Sequence, residues 1–429
     1  MSRFAIILFV FVEIVLLVTR FLLLKMGYTK FAQIVTLLFA QFIAFACSVV
    51  LFRRVTSIPP RGKPSTQYQR YARRILGGFV ILWVGLAHLS FFFFNVPLAG
   101  DFFLPPLCFF ALGSFLHSMI FLLLFFIVEK VSSCIPGLET PILKSRRLHA
   151  GVAVSLALIL SLHGLSVTQS RPTLKTVNIS IPGLPVEFDG FSIALVTDIH
   201  IGPTVGEARV RDIVQIVNQL QSDVVAISGD LVDGYVDYLR PRALPIAELR
   251  SRYGSYLALG NHEFVHDNVD KWIKFFKDEL NVTTLGNTAV VLEKDGRNLC
   301  LAGVDDLFSN SLNLNNHKMN ATAALSYCPS NTTTVMLVHQ PNGADQILNS
   351  LPSIPGNKQI DLILSGHTHG GQMFVVYPFT YLINKFLHGH YTHAGSGAQI
   401  YVSSGVNYWG PPIKMPNLCE IVNVRLHAT

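Results

Sequence analysis

The sequence predicts a helical membrane region of five spans followed by one α/β domain. Three observations support this fold class. In the first 168 of the 429 residues, the apolar blocks are long enough to cross about 30 Å of hydrocarbon. The later residues alternate short β-branched runs with amphipathic stretches, which is typical of strands alternating with helices. Several of those runs end in Asp, Asn or His beside glycine.

The apolar blocks predict five membrane spans, at residues 4–24, 31–52, 75–98, 107–128 and 148–168. A cleaved signal peptide is the alternative for the first block. Its apolar core is too long for that, however, and no small-x-small cleavage site follows it. We therefore expect a membrane region over residues 1–168, a short linker over 169–185 and one domain over 186–429.

The net charge of +7 comes from the membrane region, where 15 Lys and Arg residues face only 4 Asp and Glu residues. It is therefore no argument for a nucleic-acid partner, which would need a basic face on the folded domain. The basic residues crowd the loops after spans two and four, while residues 99–106 contain none. By the positive-inside rule, the N-terminus is cytosolic and the domain lumenal or extracellular. The membrane is then an endomembrane or lysosomal membrane, or the plasma membrane.

Glycosylation signals and cysteines are consistent with this orientation. Sequons occur at Asn178, Asn281, Asn320 and Asn331. All four follow the last span, so we expect a glycoprotein, although Asn178 is close to the bilayer. The domain contains Cys300, Cys328 and Cys419. These allow at most one disulfide with one thiol left over, and the sequence leaves the pairing open.

Within the domain, β-branched content and turn-forming borders predict strands at residues 191–197, 224–228, 256–259, 298–304, 333–338, 360–364 and 399–403. Apolar positions spaced three and four residues apart predict helices at 206–221 and 267–280. The domain is long enough to bury one substantial core.

Five predicted strands end in side chains that can bind a metal. These are Asp198 and His200; Asp230 and Asp233; Asn261, His262 and Glu263; His339; and His367 and His369. Residues i and i+2 of an extended segment point the same way, so Asp198 with His200, and His367 with His369, are expected to face a common centre. Neighbouring glycines allow the backbone to approach it closely. Ligands without thiolate favour Mn, Zn or Fe.

Each ending taken alone has an ordinary explanation. A Gly-Asp pair is commonly a turn or a helix cap. A single His-x-His is more often a pair of loop histidines, and His339 by itself is typical of a hydrogen-bonded core histidine. Five such endings in one domain, together supplying seven nitrogen and oxygen ligands, predict a dinuclear metal centre instead.

The motifs DxH, GDxxD, GNHE, an isolated His after a strand, and GHTHGG occur here in that order, and residues 191–426 resemble the calcineurin-like metallophosphoesterases. The resemblance implies a two-sheet β-sandwich flanked by helices and two divalent cations. By position it assigns Asp198, His200 and His369 to one cation, Asn261, His339 and His367 to the other, and Asp230 to a bridge between them. A hydroxide held between the cations would attack phosphorus in line.

The resemblance also implies roles beyond the ligands. His262 would protonate or stabilise the leaving oxygen, with Glu263 orienting its ring. Asp233 would orient the metal cluster. The alternative for His262 is a cap on the Gly-Asn turn. Asn407 departs from the family, in which glycine is common at that position.

The sequence therefore predicts a membrane-anchored, metal-dependent phosphoester hydrolase. Its expected partners are the bilayer and a phosphorylated small molecule or lipid head group, since the short tether favours a lipid-derived substrate. The ligands do not distinguish a monoester from a diester. A transporter or receptor with a regulatory domain is one alternative, and a silent binding module is another. A silent module usually lacks a ligand, whereas here every position is filled.

Two further regions leave alternatives open. The aromatic segment 372–393 contains His388, His390 and His393 and is either a lid or a membrane-facing lip, with its histidines in packing or surface roles rather than as ligands. Ionisable residues inside the spans, such as His88 and His117, indicate either helices that pair these groups internally or a transport pathway.

Overall fold

The computed structural model describes residues 3–26, 28–56, 66–94, 102–137, 140–312, 314, 316–356 and 358–429. The chain divides into two compact units. The first comprises Met1–Phe93 and Phe103–His163, and the second Phe94–Phe102 and Gly164–Thr429.

Long helices dominate the first unit. They are α1 (Arg3–Lys25), α2 (Thr29–Val55), α3 (Gln67–Phe93), α4 (Leu104–Cys134) and α5 (Arg146–Gln169). Among the described residues, four segments are long and apolar enough to cross a membrane: Ile34–Val55, Gln67–Phe93, Leu104–Cys134 and Arg146–Gln169. Five spans were predicted, and the difference is α1. It is helical over the predicted first span, but the side chains of residues 3–6 lie outside the described part.

Two histidines inside these helices pair with other polar side chains. The ring of His88 contacts the side chain of Gln41, and its Nε2 lies 3.1 Å from Ser48 Oγ. His117 Nδ1 lies 2.9 Å from Ser161 Oγ. Such pairing reduces the cost of placing polar groups at membrane depth. It is the arrangement that the anchor interpretation expects.

Two six-stranded sheets form the second unit. In spatial order the first contains β1 (Thr173–Ile181), β12 (Glu420–Ala428), β2 (Ser192–Val196), β3 (Val224–Ser228), β4 (Ser255–Ala258) and β5 (Val282–Thr284). The second contains β10 (Gly389–Thr392), β11 (Gln399–Val402), β9 (Leu362–Ser365), β8 (Thr333–Leu337), β7 (Arg297–Gly303) and β6 (Thr288–Lys294). Strands β2, β3 and β4 are parallel, as are β7, β8 and β9, so each set ends at one edge of its sheet.

Helices flank the two sheets. They are α6 (Glu207–Gln219), α7 (Val236–Ala243), α8 (Val269–Asp278), α9 (Ala321–Ser326), α10 (Pro341–Ser350) and α11 (Tyr377–Ile383). One buried cluster, which includes Leu195 and Leu337, joins side chains of both sheets. A second packs α6 and α8 on the first sheet, and a third packs α9 and α10 on the second. The expected two-sheet sandwich flanked by helices is confirmed.

All seven predicted strands and both predicted helices are present, but the edge strands β1, β5, β6 and β10 and the inner strand β12 were missed. The segment 169–185, expected to be a linker, carries β1, which pairs along its whole length with β12. Only Ile179 and Ile181 of β1 are buried, while Thr176 and Asn178 on the other face are exposed. Polar and apolar residues nevertheless alternate from Thr176 to Ile181, which is typical of a strand with one buried face, and the linker prediction overlooked this signal.

A disulfide joins Cys300 to Cys328, and Cys419 is a buried free thiol. This arrangement satisfies the limit of one disulfide and resolves the pairing that the sequence left open. The bond ties β7 to the turn after α9.

Candidate metal centre

The predicted metal-binding endings come together at the carboxyl ends of β2, β3, β4, β8 and β9. His200 Nε2 lies 3.1 Å from His369 Nε2, which lies 3.4 Å from Asp198 Oδ1. Three groups of side chains have potential ligand atoms within 4.8 Å of one another: Asp198 with His200 and His369, Asp230 with His339 and His367, and His200 with Asp233 and His262. The first and second of these contain only predicted ligands, and we call them the two ligand groups.

The carboxylate of Asp230 lies between the two groups. Its Oδ1 accepts a hydrogen bond from the backbone N–H of His262 at 2.9 Å. Its Oδ2 faces His339 Nε2 at 3.0 Å and His200 Nε2 at 3.6 Å. One oxygen is therefore fixed by the backbone, and the other faces a histidine of each group.

The backbone at these positions is left-handed rather than extended. Asp198, His200, Asp230, His367 and His369 have φ values of 55°, 50°, 52°, 71° and 50°. The expectation that i and i+2 residues meet through strand alternation is therefore wrong, because the chain turns once β2 and β9 have ended. As a result, His367 and His369 belong to different groups although they are two residues apart. Such non-glycine conformations are uncommon and cluster at functional sites.

Two glycines leave room for the carboxylates. A Cβ on Gly260 would lie 2.2 Å from Asp230 Oδ1, and a Cβ on Gly366 would lie 2.4 Å from Asp198 Oδ2. Any side chain at either position would overlap a carboxylate oxygen. The glycines in the GNHE and GHTHGG motifs therefore allow the close backbone approach that the sequence predicted.

Asp230 and His339 depend on each other electrostatically. Burial alone would raise the pKa of Asp230, but His339 and His262 hold it well below its usual value. Burial would lower the pKa of His339, but Asp230 raises it well above the ordinary value. His339 Nδ1 donates to the carbonyl oxygen of Ser228 at 2.8 Å, which leaves Nε2 facing Asp230. The negative charge therefore needs a positive partner at this point, either a proton or a cation.

The other three candidate histidine ligands, His200, His367 and His369, are in the neutral form that binds metals. Burial is the main cause that lowers the pKa of His200 to about 3 and that of His367 to about 4. Burial also lowers the pKa of His369 well below its ordinary value. These imidazoles are therefore neutral at neutral pH, as metal coordination requires.

The donor set fits a pair of cations. Within the described part of the chain, the buried atom Asn261 Oδ1 has no hydrogen-bond partner. Buried polar atoms are normally paired, and a cation at this position would complete Asn261. Imidazole, carboxylate and amide ligands suit divalent transition metals.

Comparison with known proteins places the chain in a family. The model of the calcineurin-like phosphoesterases matches residues 191–371. A Caenorhabditis elegans protein described as a metallophosphoesterase is 36% identical over 82% of this chain and 74% of its own length. The transmembrane protein with metallophosphoesterase domain of Danio rerio is 31% identical over 91% of this chain and 88% of its own length.

The chain belongs to the calcineurin-like phosphoesterase family. The resemblance read from the motifs is confirmed, and with it the class of enzyme, a hydrolase acting on phosphoester bonds. Among solved structures, a dimetal phosphatase from Danio rerio aligns with 54% of this chain and 91% of its own at 15% identity. The TM-score of this alignment is 0.34.

In this phosphoesterase, Asp233 rather than Glu263 holds the ring of His262. His262 Nδ1 donates to Asp233 Oδ1 at 2.8 Å, and His266 Nε2 donates to the same oxygen at 2.9 Å. Burial alone would lower the pKa of His262, but the charges of Asp233 and Asp230 outweigh burial and raise the pKa to about 9. The predicted ring-orienting role of Glu263 is therefore wrong, because its carboxylate is bound elsewhere.

Glu263 instead holds the backbone that carries Asp230. Its carboxylate accepts the N–H groups of Asp230, Leu231, Val232 and Gly260 at 3.1, 2.8, 3.2 and 2.7 Å. Burial and the neighbouring Asp230 raise the pKa of Glu263 to about 7, against the opposing effect of these hydrogen bonds. Glu263 thus fixes two ligand-bearing turns in place.

Sequence reasoning missed three residues around the site. His266 shares Asp233 with His262, and Trp409, which is 42% exposed, lies with its ring 5.5 Å from that of His262. Lys414 is buried and donates to the carbonyl oxygens of Ser404 and Gly405 at 2.6 and 3.0 Å. No motif spacing marked His266 or Trp409, because each contacts the site through residues far away in the sequence.

Asn407 supports a ligand loop. Its Nδ2 donates to the carbonyl oxygen of Ile199 at 3.0 Å, between the ligand candidates Asp198 and His200. Its Oδ1 accepts a hydrogen bond from Arg209 Nε at 3.0 Å. The side chain thus fills a structural role that glycine could not supply.

The three histidines of segment 372–393 lie outside both groups of candidate ligands. His388 Nε2 lies 3.5 Å from Glu420 Oε2, and His390 Nε2 lies 2.9 Å from Gln399 Oε1. His393 Nδ1 lies 3.0 Å from the hydroxyl of a serine in the following turn. These contacts correspond to the packing role expected from the sequence.

Replacing Glu263 with Ala is expected to lower the free energy of unfolding by about 3 kcal/mol or more, because four buried backbone N–H groups lose their acceptor. Thermal unfolding of the detergent-solubilised full chain measures the loss. Glu293→Ala, at an exposed position of β6, is the control and should change stability by no more than about 0.5 kcal/mol. Equal stability of the two variants would contradict the structural role of Glu263.

Proposed function

We propose that the chain is a membrane-anchored phosphoester hydrolase that works with two divalent cations of the Mn, Zn or Fe class. The convergence of seven candidate ligands from five strand ends supports this proposal. Asp198, His200 and His369 would hold one cation, and Asn261, His339 and His367 the other. Asp230 would bridge them, since one oxygen faces a histidine of each group.

The proposed chemistry divides between the cations and the chain. When bound, the pair of cations supplies a hydroxide for in-line attack on phosphorus and neutralises the phosphoryl oxygens. His262 would donate a proton to the leaving oxygen, since a pKa of about 9 keeps its imidazole protonated at neutral pH. Asp233 would position it by accepting from Nδ1, which leaves Nε2 for the substrate.

We place the domain on the lumenal or extracellular side. The basic loops of the membrane region support this orientation through the positive-inside rule. The disulfide between Cys300 and Cys328 is also typical of an oxidising compartment. The sequon residues Asn281 and Asn331 are exposed and therefore accessible for glycosylation.

The central test combines metal content with hydrolysis. Purified full-length chain in detergent should bind two divalent cations and hydrolyse p-nitrophenyl phosphate or bis-p-nitrophenyl phosphate. Asp230→Asn is expected to reduce the metal content and to abolish turnover, because it removes the bridging charge. Elemental analysis and product absorbance measure the two effects. A variant with full metal content and full activity would overturn the proposed role of Asp230.

The pH profile tests the assignment of His262. The proton donor must be protonated, so activity falls as pH rises through its pKa, and Asp233 raises that pKa. Asp233→Asn should therefore move the alkaline limb of the profile to lower pH. An alkaline limb that stays in place would contradict the pairing of Asp233 with the proton donor.

His262→Ala is the companion variant. It should lower kcat by roughly 10²–10⁴-fold with unchanged metal content, since it removes a general acid and no proposed ligand. Loss of metal in step with activity would instead indicate a structural role for His262.

Glycosylation tests the orientation. Treatment of the full chain from eukaryotic cells with an N-glycosidase should lower its apparent mass, and the combined change of Asn281, Asn320 and Asn331 to Gln should remove the shift. Asn178→Gln is the control, because this residue is close to the last span and should not alter the shift. An unmodified chain whose domain is digested by protease from the cytosolic side would reverse the proposed orientation.

A further inference from the structure

An exposed apolar segment lies next to the proposed metal centre. We call residues 374–383, which include all of α11, the apolar lip. Six of its large side chains are exposed: Phe374, Tyr377, Phe379, Tyr381, Leu382 and Ile383. Leu382 and Ile383 are the most exposed of these, at 78% and 72%. None of the residues of α11 is buried.

The fold fixes the backbone of the lip while leaving its side chains outside. Asn342 Nδ2 donates to the carbonyl oxygen of Ile383 at 3.0 Å, and Asn342 Oδ1 accepts from the N–H of Lys385 at 2.8 Å. Gly371 packs against Tyr377 at the other end. A held segment with a contiguous apolar surface is typical of a binding surface for a membrane or another protein.

Contacts within the second unit connect the lip to the end of the last candidate span. Gly164 to Gln169, the end of α5, belong to this unit. Thr168 Oγ1 donates to the carbonyl oxygen of Pro412 at 3.0 Å, and Gln372 Nε2 donates to that of Pro411 at 3.1 Å. Pro411 and Pro412 are consecutive. They therefore connect Thr168, at the end of α5, with Gln372, which lies two positions before the lip.

Trp409 connects the same region to the proposed proton donor. Its backbone N–H donates to Gln372 Oε1 at 3.0 Å, and its ring lies 5.5 Å from that of His262. Tryptophan is enriched where a protein meets the head-group region of a bilayer. Trp409, the lip and the proposed proton donor His262 therefore lie on the same side of the domain.

We propose that the apolar lip inserts into the head-group region of the bilayer that α5 crosses, and that the substrate is a phospholipid whose phosphoester reaches the metal centre from that bilayer. We take the bilayer as the occupant because the consecutive residues Pro411 and Pro412 bind Gln372, two residues before the lip, and Thr168, at the end of a candidate span. The substrate class rests on the proposed hydrolase function, whereas the insertion of the lip does not.

A cleft beside the lip has the mixed lining that an amphiphile requires. Its volume is about 660 Å³, with Tyr381, Leu382 and Ile383 on the lip side and Asn342 and Asp345 on α10. The cleft also touches Leu387, whose carbonyl oxygen accepts from Thr368, the residue between the two histidines of GHTHGG. The cleft therefore adjoins a ligand-bearing turn.

Photo-crosslinking tests insertion without relying on activity. The full chain is placed in nanodiscs of alkyne-tagged phosphatidylcholine, with the photoreactive p-benzoylphenylalanine in place of Leu382 or, as the matched control, Val186, which is 74% exposed outside the lip. Lipid labelling is expected from position 382 and not from position 186. Equal labelling from both positions, or a cross-link from 382 to a second copy or another protein, would overturn the proposal.

Kinetics test the substrate class. The double variant Phe374→Ser with Phe379→Ser changes two exposed lip residues that do not line the cleft, so it should keep its turnover of p-nitrophenyl phosphate. It should lose about tenfold in turnover of phosphatidic acid or phosphatidylglycerol in nanodiscs, because less apolar surface enters the bilayer. The double variant Val186→Ser with Leu244→Ser removes exposed apolar side chains elsewhere and should match the unaltered chain on all substrates.

The outcomes separate the two proposals. Equal losses on soluble and lipid substrates, or no loss on either, would contradict delivery of substrate through the lip. An unaltered, metal-loaded chain that hydrolyses neither the soluble esters nor the lipids would contradict the proposed hydrolase function, and the cross-linking result would still decide whether the lip inserts.

Discussion

The buried negative charge of Asp230 is the constraint on which the rest of the domain depends. A carboxylate with 2% exposure is costly unless it is compensated by positive charge and hydrogen bonds. His339, the backbone N–H of His262 and the neighbouring group of ligands all converge on it. Divalent cations would supply the positive charge that this carboxylate requires. The protein holds the negative charge and the neutral imidazoles at a fixed distance before any cation binds.

Holding the ligands in this way requires a strained backbone. Five candidate ligands have left-handed φ values, each of which costs an L-residue roughly 1–2 kcal/mol. The strain is supported by groups that are not ligands themselves. Glu263 binds the turns around Asp230 and Asn261, and Lys414 holds the loop whose Gly405 lies against Asp198. The buried side chains of Glu263 and Lys414 therefore stabilise the irregular turns that follow the regular strands.

The anchor and the site are linked through short connections. Only residues 170–172 separate α5 from β1, so the first strand after the last candidate span is already part of a sheet. Lys175 on β1 and the backbone N–H of Ser404 both bind Glu420, and Ser404 belongs to the loop held by Lys414. These contacts connect the first strand after the last candidate span to a loop beside the candidate metal centre.

The sequence by itself determined the membrane region, the seven main strands and the identity of the candidate ligands, because hydropathy, periodicity and motif order are local properties. The linker prediction overlooked β1, although residues 176–181 alternate polar and apolar side chains, and the structure shows its partner to be β12. Only the tertiary structure decided that Asp233 rather than Glu263 holds His262, that the ligand-bearing turns are left-handed, and that the apolar lip is exposed. Those outcomes depend on left-handed turns and on contacts between residues far apart in the chain, which periodicity cannot encode.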